Sequence, residues 1–121
     1  MTPTHFFATQ GAVVTVRFWH TPNEKDLILA IDDIATRYPA APLIWDLGDE
    51  FDLTGEELRR VAEHGRSVLK EPARVALVAP SDLAFGLSRM YQAYREDARR
   101  EHRVFRSVDK ARAWILSDSA E

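Results

Sequence analysis

The sequence predicts an α/β fold: a mostly parallel sheet of about five strands in the order ββαβαβαβα, with an antiparallel N-terminal edge strand. Three observations predict it. Short apolar runs rich in β-branched and aromatic residues alternate with longer segments whose apolar residues recur at helical spacing. Thr21, Thr54, Ser81 and Ser107 each stand just after a strand-like run and just before a helical one. All six prolines fall between these segments, where a missing N–H does least harm. Strands that alternate with helices form a parallel sheet joined by crossovers. The 121 residues suit a single domain, 1–121, and the chain shows no repeat, linker or low-complexity tract.

Each element has its own signature. His5 to Thr9 and Val13 to Trp19 flank Gln10-Gly11-Ala12 and read as a hairpin. Thr21-Pro22-Asn23-Glu24 reads as a helix start, with Thr21 the cap, Pro22 at the first position and Glu24 completing a capping box. Leu27, Ile31, Ile34 and Tyr38 follow, and Pro39 stops the helix. Leu43 to Leu47 is the next strand. Thr54 and Glu57 form a second capping box, ahead of a face made by Leu58, Val61, Ala62, Gly65, Val68 and Leu69. Arg74 to Ala79 is a short apolar run suited to a central parallel strand, with Val75, Leu77 and Val78 buried. Ser81 or Asp82 caps a third helix that carries Leu83, Leu87, Met90, Tyr91 and Tyr94 on one side. Arg103 to Arg106 is a last strand, and Ser107 opens a final helix with Val108, Ala111, Trp114 and Ile115. In such a sheet the hydroxyl residues gather at the carboxyl edge, where ligands of open α/β folds bind.

Composition excludes several classes of function. The absence of cysteine removes disulfides, thiol catalysis and thiolate metal sites, and it suits a reducing cytoplasm. A net charge of −3 supplies no basic field for nucleic acid. No apolar run reaches the roughly 20 residues of a membrane span. The N-terminal MTPTHFFATQ lacks the basic and apolar regions of a signal peptide. His5, His20, His64 and His102 are scattered and read as surface or strand-end residues, without metal-ligand spacing or a serine partner. There is no Gly-rich phosphate loop. No catalytic set, metal or cofactor is therefore expected.

The segment Leu43 to Leu58, LIWDLGDEFDLTGEEL, holds the most specific pattern: a buried strand, an acidic loop, then Thr54-Gly55 opening a helix. With VALVAPSDLAFG from Val75 to Gly86 and VFRSVDKARAWI from Val104 to Ile115, it resembles the STAS family of SpoIIAA-like anti-sigma factor antagonists. Over nearly its full length the chain looks like the SpoIIAA-like branch (STAS/SEC14). In the family the loop reads roughly Asp-Ser-Ser-Gly, and a partner kinase phosphorylates the hydroxyl before the Gly. The resemblance places Thr54 at that hydroxyl and Asp52 near the preceding acidic residue. Leu53 stands where the family has its first Ser. The resemblance implies a non-enzymatic, cytoplasmic regulatory domain that binds a kinase-like or anti-sigma-like protein through Thr54, Gly55, Asp52, Asp49 and Glu50.

Plainer readings stand beside these. Thr54 is a good N-cap in its own right. Asp46, Asp49, Glu50 and Asp52 offer hard oxygen ligands but lack the spacing of a calcium loop, so a solvated acidic loop is expected. Phe85, Met90, Tyr91 and Tyr94 on the third helix, beside Ala84 and Gly86, suit core packing. The lipid-transfer side of the resemblance offers the alternative that they line a pocket for an apolar small molecule, which requires about 300 Å³ or more. The run Arg95 to Arg103 reads as a solvated helix end, with Arg99, Arg100 and Arg103 a candidate basic patch.

Overall fold

A computed structural model describes residues 4–48, 50, 53–96 and 99–117. The element order is β1 (His5–Gln10), β2 (Val13–Phe18), α1 (Glu24–Arg37), β3 (Leu43–Asp46), α2 (Gly55–Val68), β4 (Ala73–Val78), α3 (Asp82–Arg95), β5 (Arg100–Phe105) and α4 (Val108–Leu116). The sheet runs β1-β2-β3-β4-β5, with β1 antiparallel to β2 and every other pair parallel. The predicted ββαβαβαβα fold is the observed one.

The β1–β2 hairpin turns on Gly11, whose φ of +60° lies in the left-handed region open to glycine. Alternation along the strands then builds two cores. Val14, Val16, Leu43, Trp45, Val75 and Leu77 face the larger one, with Leu27, Ile31 and Ile34 of α1, Leu58 and Val61 of α2 and Ala84 of α3. Val13, Ile44, Ala76 and Val78 face the other way and are covered by Ala111 and Ile115 of α4. As expected, β4 lies between two parallel neighbours with Val75, Leu77 and Val78 buried.

Four expectations are corrected. The cap of α1 is Asn23, not Thr21. Its side chain accepts from the Asp26 amide at 2.9 Å while Asp26 accepts from the Asn23 amide at 3.0 Å. Pro22 is buried one position earlier, and Glu24 turns outward to Arg60. The last strand begins at Arg100 rather than Arg103, because Arg100 and His102 alternate inward among charged neighbours. Arg100 is buried and donates to the Glu71 carbonyl at 2.6 Å, so it belongs to no surface patch with Arg99 and Arg103. The buried residues of α3 are Ala84, Ser88 and Arg95, whereas Leu83 and Met90 are exposed.

Candidate functional site

Thr54 follows β3 and caps α2. Its hydroxyl oxygen accepts from the Glu57 amide at 3.1 Å, and its own amide donates to the Glu57 carboxylate at 2.8 Å. Two donors at the helix start are thereby satisfied, worth about 1 kcal/mol against alanine. Thr54 is exposed on the α2 terminus, while Leu53 before it is buried in the core. The chain is therefore anchored one residue before an accessible hydroxyl.

The carboxylates of this turn are engaged. Glu57 closes the capping box. Glu56 pairs with Arg59 and lies 3.8 Å from Arg60. Arg60 also grips Glu24 of α1 in a two-pronged contact at 2.7 and 2.9 Å. The Arg60 hydrogen bonds hold the Glu24 carboxyl below its usual range, and Glu24 in turn raises Arg60. Asp49 and Asp52 of the predicted surface lie outside the described residues. Glu50 is exposed. Asp46, at the end of β3, accepts from Arg17 Nε at 3.1 Å.

The residues read as a candidate apolar pocket separate into three places. Phe85 lies under the Arg106 guanidinium, 4.2 Å from its ring centre. Met90 and Tyr94 reach back to the start of α2: a methyl added at Gly55 would stand 3.2 Å from Met90 Cε and 3.9 Å from the Tyr94 hydroxyl. Tyr94 also accepts the Arg66 guanidinium at its carbonyl, so it lies along α2. Tyr91 alone lines the interior cavity, together with Leu27, Ile31, Trp45, Leu47, Val61, Leu77 and Ser88. That cavity is about 20 Å³, the room of a single water. Burial pushes the Tyr91 phenol up, and Arg95 beside it pulls it part of the way back. The two sets that the sequence kept apart thus meet at Gly55, where an exposed hydroxyl, an exposed thioether and a half-buried phenol ring share one surface.

A second depression, about 380 Å³, opens at the carboxyl ends of β2 and β3. Phe6, Arg17, Trp19, Asp46 and Glu50 line it, along with Thr21. Gly48, with φ of +78°, makes the bend on its rim. Sequence reading passed over this groove. The signal was Arg17, the one charged residue of β2, which pairs in register with Asp46. Thr21, released from capping, belongs to this wall.

Of the histidines, His5 contacts Asp33 at 2.9 Å and His64 contacts Asp32 at 2.6 Å. His20 is exposed, and His102 is buried in β5, edge-on to Tyr91. Among the described residues no group of three or more His, Asp or Glu side chains converges as a metal site. No helix among them is long and apolar enough to cross a membrane. In comparisons with known proteins, no family model, curated protein or solved structure matches this chain.

Proposed function

We propose that this chain is a STAS-like regulatory domain, cytoplasmic and non-enzymatic, that binds a protein partner through the α2 N-terminus around Thr54. The observation that carries this reading is the exposure of the Thr54 hydroxyl on a rigid capping box with the exposed Met90 side chain beside it. An exposed thioether adapts its shape to a docking partner. A helix N-terminus also stabilises a phosphate through free amides and the dipole. The pairing of Glu56 with arginines and of Glu57 with the backbone reduces the local repulsion that a phosphate of about −1.5 to −2 charge would meet.

The carrier alternative has less support. A cavity of about 20 Å³ is far below the roughly 300 Å³ of a small ligand site, so α3 would have to leave the sheet to admit an apolar molecule.

The test uses three variants. Thr54→Ala removes the cap and costs about 0.5–2 kcal/mol of stability under any reading. Thr54→Ser and Thr54→Asp both keep an oxygen for the Glu57 amide, and only Asp adds charge. A partner recovered by pull-down is titrated with both variants at moderate salt. The reading expects them to differ in affinity by about tenfold, the equivalent of about 1.4 kcal/mol. Equal affinities, together with no phosphate on Thr54 in protein from the native cell, end the switch reading.

A further inference from the structure

We propose that the groove at the carboxyl ends of β2 and β3 binds a small organic cation, an alkylammonium or trialkylammonium, against the ring of Trp19. The volume of about 380 Å³ falls within the range of ligand sites. The position is where open α/β sheets bind ligands, outside the carboxyl ends of adjacent parallel strands.

The chemistry of the wall selects the ligand. Trp19 remains 58% exposed, although a ring of its size would gain much by burial. It is nonetheless held: Phe6 lies against it with ring centres 4.3 Å apart and planes inclined at 30°. A fixed, exposed indole is the best aromatic face for a cation. The charges agree. Asp46 and Glu50 share the groove with a single guanidinium, Arg17, and with the His20 imidazole, and that guanidinium already donates its Nε to Asp46. With His20 neutral, the balance of charge among the described residues of the groove is negative. An anion would meet two carboxylates. An uncharged apolar molecule would have to cover the Arg17–Asp46 pair without replacing its water. An ammonium on a short alkyl body satisfies both parts of the wall, with its charge toward Glu50 and its methyl groups on the indole.

The probe is choline, compared with its uncharged isostere 3,3-dimethylbutan-1-ol and with acetate. Binding is followed by the Trp19 indole resonance and the Gly48 amide in two-dimensional NMR of the full chain. Choline is expected to shift both resonances saturably. The uncharged isostere is expected to bind more weakly by roughly two- to thirtyfold, the span of exposed to desolvated cation–π contacts. Trp19→Ala is expected to abolish the Gly48 shift and Glu50→Gln to weaken it. Thr54→Ser, outside the groove, is expected to leave choline binding unchanged, which separates this site from the proposed partner surface. Glu50→Gln also keeps the test intact if Trp19→Ala disturbs folding. No shift up to about 50 mM choline, well past a millimolar dissociation constant, overturns the proposal. So does equal affinity for the uncharged isostere, tighter binding of acetate, or retention of the Gly48 shift in Trp19→Ala.

Discussion

Two glycines of α2 face α3, and the structure predicts unequal consequences for the same substitution. At Gly65, inside the helix and buried, an added methyl would stand 3.1 Å from Arg95 Nε, 3.5 Å from the Tyr91 hydroxyl and 3.7 Å from Ile31 Cδ1. Arg95 is only 1% exposed, and it donates Nη2 to the Gly65 and Leu69 carbonyls at 3.1 Å each. It cannot yield without stretching the bonds that close the end of α2. Overpacking of this kind costs about 1–3 kcal/mol. Each charged hydrogen bond weakened adds to that loss, up to about 1.5–3 kcal/mol if broken. Against this, alanine gains about 1 kcal/mol over glycine as a helix former. Gly65→Ala is therefore expected to lose about 1–2 kcal/mol. At Gly55 the close neighbour is Met90 Cε, the free end of an exposed flexible side chain, which can swing aside. Gly55→Ala is expected to change stability by no more than about 0.5 kcal/mol. Urea denaturation of both variants beside the parent chain measures the difference through the midpoint at constant slope. A Gly65→Ala protein as stable as the parent would refute the argument that Arg95 is immovable. An equal loss at both positions would refute the argument that it is the neighbour, not the glycine, that decides.

Two further substitutions probe the buried face of α3. Ser88 Oγ is fully buried beside the apolar cavity with no hydrogen-bond partner among the described residues, so Ser88→Ala is expected to stabilise the fold by about 1 kcal/mol; a loss on thermal denaturation would mean that the hydroxyl is satisfied in solution. Tyr91 has a folded-state pKa raised above its ordinary value of 10.0 by burial, so its contribution is fully present below pH 10 and is lost as pH rises from there through the folded value. Tyr91→Phe is expected to flatten the alkaline fall in stability, and an unchanged alkaline slope would contradict the burial of the phenol.

The elements were legible where local chemistry and packing agreed. β3 and β4 are continuous apolar runs because parallel strands are covered on both faces, and the two cores show why neither alternates cleanly. The capping box of α2 was legible because Thr54 and Glu57 act within one turn. The start of α1 was misread for a related reason: Thr21 and Asn23 both offer an oxygen, and local pattern alone does not choose between them. The choice falls to tertiary structure, which buries Pro22 and commits Glu24 to Arg60 across the α1–α2 interface.

α3 was hardest to read because its inner face breaks the usual correspondence between apolar and buried. Its buried stripe is Ala84, Ser88 and Arg95, with Tyr91 between them half-buried. The small residues sit where the helix meets the sheet, and Arg95 sits where α2 ends. A helix that terminates against a neighbour leaves carbonyls without partners, and a guanidinium, whose charge also opposes the C-terminal dipole, satisfies them better than an apolar side chain can. Of the large apolar residues of α3, Phe85, Leu87, Tyr91 and Tyr94 pack half-buried against the core, Leu83 and Met90 are exposed, and Met90 and Tyr94 reach the start of α2. The surface beside Thr54 and the cap at the other end of α2 are thus both made by α3. Periodicity on α3 alone could not show that link, because it is made between two helices and turns on a charged residue buried at one end of the contact.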